Sequence, residues 1–176
     1  MIFTVGHSTR TIEEFIRLLG EHEIELLVDV RTIPKSRHNP QFNTEALRKS
    51  LKDSKIEYVH NPGLGGLRHA HKDSINLGWR NDSFRGYADY MQTEEFRENL
   101  EKLIDLASEK RVAIMCAEAV PWRCHRSLIS DALLARGIVA SHIVGTGAPK
   151  PHALTSFAVI NGHAVTYPDE NLRLGL

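Results

Sequence analysis

Short apolar runs alternate with amphipathic stretches along this chain, and that alternation predicts an α/β domain with a mostly parallel sheet. Two further observations support the class. The apolar runs lack strict in–out alternation, so they read as strands buried on both faces. The histidine, arginine, glycine and cysteine clusters come just after the runs, as expected where strand C-terminal ends share one edge with helix N-termini. The expected architecture is a single three-layer domain over residues 1–176, with about five strands.

Each element has its own signal. Ile2 to Val5 is a β-branched strand ending at Gly6-His7-Ser8-Thr9-Arg10. Thr11 and Glu14 stand at capping-box spacing before a helix with Ile12, Phe15, Ile16 and Leu19 on one face. Glu25 to Arg31 is a second strand, interrupted by Asp29, whose carboxylate needs a partner; Arg31 and Arg37 are the candidates. The chain continues into a basic, hydroxyl-rich loop from Thr32 to Pro40, and Asn43 or Thr44 caps a helix to about Leu51.

Ile56 to Val59 is the third strand and leads to Gly63-Leu64-Gly65-Gly66, which lacks the full fingerprint of a dinucleotide or Walker loop. Leu67 to Ser83 shows no periodicity and reads as a lid or wall over a site, with Trp79, Phe84 and Tyr87 arguing for order. Thr93 precedes a helix with Phe96, Leu100, Leu103, Ile104 and Ala107 on its apolar face. Val112 to Met115 is the fourth strand. A helix opening at Arg123 to Arg126 and closing near Gly137 comes next. Ile138 to Val144 is the fifth strand. The tail then carries a short helix over Leu154 to Ile160 or a hairpin about Asn161-Gly162, with a last extended piece at Ala164 to Tyr167.

Composition narrows the function classes. The 22 basic and 22 acidic residues balance, so nothing draws the whole chain toward nucleic acid or an anionic membrane. No apolar run reaches the ~18 residues of a membrane span, and MIFTVGHST is not signal-like. Two cysteines outside any paired framework suit a reducing compartment, and the expected location is cytoplasmic.

Both cysteines fall in one turn, Cys116-Ala117-Glu118 through Pro121 to Arg123-Cys124-His125-Arg126. Unpaired N–H groups and the macrodipole at a helix start favour anions and thiolates. Cys116, Glu118, Cys124 and His125 are therefore the candidate catalytic groups: a thiolate nucleophile, metal ligand or redox thiol, with Glu118 and His125 as proton carriers. Arg123 and Arg126 are candidates to grip a phosphate or carboxylate. His7, Ser8, Arg31, Ser36, Arg37, Gly65 and Gly66, all just past strand ends, complete the candidate substrate-binding set.

Four functions compete. The first is an enzyme acting on a phosphorylated, nucleotide or nucleic-acid substrate. The second is a metal site drawing on Cys116, Cys124, His125, His142 and His152, whose spacing fits no standard zinc pattern. The third is a non-catalytic nucleotide or nucleic-acid binding module, whose binding would depend steeply on salt. The fourth is thiol redox sensing, which needs the two cysteines within ~7 Å Cα to Cα. The small anionic ligand is the leading partner, nucleic acid a further one; the cofactor is left open. The spacing from Cys116 to Arg123 is one residue longer than the cysteine, five residues, arginine loop of rhodaneses and cysteine phosphatases, and the loop is not glycine-rich.

The segments GHSTRTIEEFI, VDVRTIPKSR, FN, LGG, WRNDSFRGYADYM, CAE with Pro121, CHRS, and His152 before Leu154-Thr155 together resemble the bacterial and archaeal domain of unknown function 488 family, across Ile2 to Pro168. The resemblance implies a compact α/β protein. It gives weight to Cys116, Glu118, Cys124, His125 and Arg126 as motif positions, and it implies no particular activity.

Overall fold

The computed structural model describes residues 1–169. Five strands run parallel: β1 (Ile2–Gly6), β2 (Leu26–Asp29), β3 (Glu57–His60), β4 (Val112–Cys116) and β5 (Ala140–Ile143). A two-residue antiparallel strand, β6 (Lys150–Pro151), extends the β5 edge, so the sheet has six strands in the order β3-β2-β4-β1-β5-β6. The sequence pattern does not reveal β6, because two residues carry no periodicity.

Side chains alternate across the sheet and seed a core on each face. Phe3, Val5, Leu27, Ala113 and Met115 pack under α1 (Ile12–Glu21) and α2 (Thr44–Asp53) through Phe15, Leu18, Leu19, Leu47 and Leu51. Ile2, Leu26, Val28, Val112 and Ile114 pack under α3 (Asp82–Tyr90), α4 (Glu94–Glu109) and α5 (Arg126–Leu134) through Tyr87, Phe96, Leu100, Leu103, Leu128 and Ile129. Three layers result, as expected.

Two helix starts are capped by their threonines, while Asn43, at the start of α2, makes no cap bond because its side chain accepts from the Ser36 N–H. Thr11 and Glu14 form a reciprocal capping box, and the Thr93 hydroxyl accepts from the Phe96 N–H. Gly137 takes a left-handed φ of 71°, and the Ile138 N–H closes back on the Leu133 carbonyl, ending α5. The tail resolves as the hairpin β7 (Val159–Asn161) and β8 (Ala164–Thr166) turning at Gly162, not as a helix.

Two differences reposition the site. The last helix opens at Arg126, after a 3₁₀ turn at Pro121–Arg123, and Cys124 between them is extended. Proline at the first position of that turn favours the short helix, and the Cys124 N–H closes it on the Pro121 carbonyl. Helix α3 has no counterpart in the sequence pattern; it is capped by Asn81, whose side chain accepts from the Ser83 and Phe84 N–H groups. The segment before α3 is pinned to that helix. Its Ser74 hydroxyl, Asn76 amide and His71 N–H all donate to the Asp89 carboxylate. No helix of the described residues is long and apolar enough to cross a membrane.

Candidate functional site

Strands β2, β4 and β1 lie side by side at the middle of the sheet, and their C-terminal ends carry Asp29, Cys116 and Gly6. The segments leaving these three strands therefore meet at one point. The His7 N–H donates to the Cys116 carbonyl at 3.0 Å, and the Ser8 N–H to the Ala117 carbonyl at 2.9 Å. Gly6 is required for this approach: a Cβ there would fall 1.9 Å from the Glu118 carbonyl oxygen. The bare glycine thus admits the Glu118 backbone to the end of β1.

Asp29 finds its partner in Arg31, not Arg37. The Arg31 Nε and Nη2 donate to the two Asp29 oxygens at 2.9 and 2.6 Å, and the Tyr58 hydroxyl adds a third bond at 2.8 Å. Arg31 Nη2 also donates to the Phe42 carbonyl. Its Nη1 reaches His7 Nε2 at 3.3 Å, while His7 Nδ1 lies 2.8 Å from the Ser8 carbonyl. A carbonyl only accepts, so Nδ1 carries the proton and Nε2 accepts from Arg31. His7 is thus a neutral ring, and burial pushes its pKa down to about 4. It stacks on Phe42 at 4.2 Å between ring centres.

His7 and Arg31 line a pocket of about 390 Å³ together with Ser8, Thr9, Ile33, Lys35, Ser36, Asn39 and Ala117 to Ala119. Ser8 holds a left-handed φ of 51° at its rim. The Ser36 Oγ accepts from the Asn39 N–H, and the Ser36 N–H donates to the Asn43 side chain, so the loop is braced and the Ser36 O–H is left to donate. Of the expected binding set, His7, Ser8, Arg31 and Ser36 meet here, joined by the exposed Glu118. Lys35 and Asn39 also line the pocket and were missed, although the same basic loop carries them. Arg37 and Arg123 are exposed and lie outside the lining.

The cysteine turn forms a second cluster beside this pocket. Sγ of Cys116, Sγ of Cys124 and a ring nitrogen of His125 lie within 4.8 Å of one another. His125 Nε2 is 3.2 Å from the Val30 carbonyl, so Nε2 bears the proton and Nδ1 faces Cys124 Sγ at 3.7 Å. The neighbouring Cys116 thiol holds the Cys124 thiol well below its usual range against the opposing effect of burial; His125 and Arg126 add to it. The same pairing, then burial, pushes the Cys116 thiol up. Gly66 lies directly over this cluster, where a Cβ would stand 3.1 Å from His125 Nδ1, and Gly65 packs on Thr32. Neither glycine lines the 390 Å³ pocket.

Arg126 is almost fully buried, 1% exposed, and spends its guanidinium on the protein. Its Nη2 donates to the Glu118 carbonyl at 2.5 Å and its Nη1 to the Thr4 hydroxyl at 3.1 Å. It braces the Glu118 loop from behind. His142 and His152 stand apart from the cysteines, bonded to each other and to Thr4 and Asp131. Asp131 was missed by sequence reasoning; nothing in the pattern of α5 marks it.

The family model described as domain of unknown function DUF488 matches residues 11–133, and the chain belongs to that family. The model covers most of the strand-end segments that build the site, while His7, Ser8 and His152 lie outside the matched residues. No curated protein and no solved structure matches the chain.

Proposed function

We propose that this member of the DUF488 family is an enzyme acting on a small anionic substrate, phosphorylated or nucleotide in class. One observation carries the reading. The pocket lined by His7, Ser8, Arg31, Lys35, Ser36 and Glu118 lies next to the Cys116, Cys124 and His125 cluster at the C-terminal edge of the sheet. Lys35, the Ser36 hydroxyl and the last Arg31 N–H are the donors for the anion. Cys116, Cys124 and His125 supply the electron-rich centre, and Glu118 is the solvent-facing acid or base. Arg126, Gly65 and Gly66 act on the substrate indirectly, by fixing the Glu118 loop and the ground around His125.

The test is turnover of a panel of nucleotides and phosphorylated small molecules. Cys124→Ser abolishes turnover of the substrate found while its binding stays within about threefold, and Lys35→Ala with Ser36→Ala weakens binding about tenfold, or about 1.4 kcal/mol. Turnover that survives both Cys116→Ser and Cys124→Ser contradicts the reading. Steeply salt-dependent binding to oligonucleotides with no turnover would place the chain among binding modules instead.

A further inference from the structure

We propose that Cys116, Cys124 and His125 form a binding site for a soft divalent metal ion, with Zn²⁺ the ion the donor set fits best. The proposal deepens the preceding reading and rests on it for the ion's role in turnover, though not for its binding. Cys116 comes from the end of β4, and Cys124 and His125 from the two residues between the 3₁₀ turn and α5. Three donor atoms from two segments converge within 4.8 Å of one another.

The separation of the Cys124 and His125 donors suits tetrahedral zinc. Ligand lengths of about 2.3 Å to sulfur and about 2.1 Å to nitrogen place a sulfur and a nitrogen about 3.6 Å apart. The observed separation of Cys124 Sγ and His125 Nδ1 is 3.7 Å. The partner of the other ring nitrogen also fits. A ligating imidazole commonly donates its other N–H to a backbone carbonyl, which fixes the tautomer and turns the lone pair to the metal. His125 Nε2 does this toward the Val30 carbonyl at 3.2 Å. Gly66 keeps the Nδ1 face uncrowded. Two thiolates and a neutral imidazole would neutralise a divalent cation, so the ion needs no further counter-charge beside the buried Arg126.

The set supplies three protein ligands. Cys124 is buried and Cys116 partly exposed, which leaves a fourth position on the exposed side of the cluster. Two cysteines, one histidine and an open position is a ligand set of catalytic zinc, in which the ion polarises a bound water or substrate oxygen. Glu118, two residues beyond Cys116, is exposed and lines the adjoining pocket, and it is the candidate to take a proton from that water. The other histidine pair does not compete: His142 Nε2 and His152 Nδ1 are 2.9 Å apart and bonded to each other, and their remaining nitrogens go to Thr4 and Asp131.

The test uses the full chain, reduced and stripped with chelator, then titrated with Zn²⁺ against a chromophoric competitor and separately with Co²⁺. The expected result is one equivalent per chain, with thiolate-to-cobalt charge-transfer bands and the intense visible bands of tetrahedral cobalt. Cys116→Ser, Cys124→Ser and His125→Ala each weaken Zn²⁺ binding about tenfold or more, and His152→Ala leaves it unchanged. If Cys124→Ser fails to fold, X-ray absorption of the wild-type zinc form counts its ligands directly, and two sulfurs are expected. Cobalt spectra without thiolate bands, or Zn²⁺ binding as tight in Cys116→Ser and His125→Ala as in the wild type, overturn the proposal. So does a chain that binds no Zn²⁺ and is converted by peroxide to a Cys116–Cys124 disulfide at the same rate with or without the ion. Phosphate binding, measured on the same preparations, separates the two claims. A chain that binds phosphate but takes up no Zn²⁺ overturns the metal site alone, and a chain that takes up Zn²⁺ but binds no phosphate overturns the anion pocket alone.

Discussion

His152 Nε2 stands 2.8 Å from Oδ1 of Asp131, a carboxylate with no exposed surface. That contact sets the protons of a whole chain. A carboxylate accepts, so His152 Nε2 carries its hydrogen and Nδ1 accepts from His142 Nε2. His142 Nδ1 then accepts from the Thr4 hydroxyl, and the Thr4 oxygen accepts from Arg126. Through Arg126 the chain ends on the Glu118 carbonyl, at the candidate site. The Thr155 hydroxyl and the Tyr167 hydroxyl donate to the other Asp131 oxygen and tie the tail to the same group.

Asp131→Asn tests this chain. The amide nitrogen cannot accept from the two hydroxyls that now meet Oδ2, so buried donors lose their acceptor. The expected cost is about 3 kcal/mol of unfolding free energy, read from urea midpoints at unchanged slope. A loss within about 0.5 kcal/mol, typical of a surface change, would contradict the network.

Stability falls in mild acid. Burial, with His152 and Arg126 nearby, pushes His142 from 6.5 down to about 4. Burial does the same to His7. Between those values the unfolded chain binds more protons than the folded one, so lowering the pH favours unfolding. The contribution is complete above about 6.5 and is lost as the pH falls toward about 4. Thermal melting across this window, in wild type and in a His142→Gln variant, checks it; the variant shows the shallower slope.

Gly6→Ala forces the Glu118 loop off the end of β1, because its Cβ would lie 1.9 Å from that carbonyl. The expected penalty is about 1–3 kcal/mol in stability. Phosphate affinity falls with it, since Ala117 to Ala119 line the pocket. Equal phosphate affinity in a folded Gly6→Ala chain would contradict the placement of that loop.

Arg126→Ala removes a buried cation and leaves a cavity and an unpartnered Glu118 carbonyl. A loss of about 2–5 kcal/mol is expected, with weakened anion binding caused by loop movement. Denaturation and phosphate titration on the same sample separate the two. Anion binding lost with stability untouched would instead mean that Arg126 touches the substrate.

Much of this was legible in the residues. The strand order is not written locally, but the strands are, because buried parallel strands are continuous apolar runs. Asp29 was readable as a group in need of a cation, and a cation stood two residues on. The cysteine turn was readable because both cysteines share it with a histidine and arginines. What escaped depends on contacts distant in sequence. The partners of Asp131 lie 21 to 36 residues away, beyond any local spacing. Arg126 reads as an anion contact at a helix start, yet the hydroxyl that turns it inward, Thr4, is 122 residues earlier. The α3 helix escaped because its buried face mixes Gly86, Asp89 and tyrosines, which blurs the apolar stripe.

The most direct measurement is a phosphate titration of uniformly ¹⁵N-labelled protein followed by amide chemical shifts. Shifts confined to residues 7–9, 33–39 and 117–119, and weakened by Lys35→Ala with Ser36→Ala, are predicted. Shifts gathered instead around the cavity between β3 and α4, at Gly63 and Asn99, or no saturable shifts at all, would contradict the account.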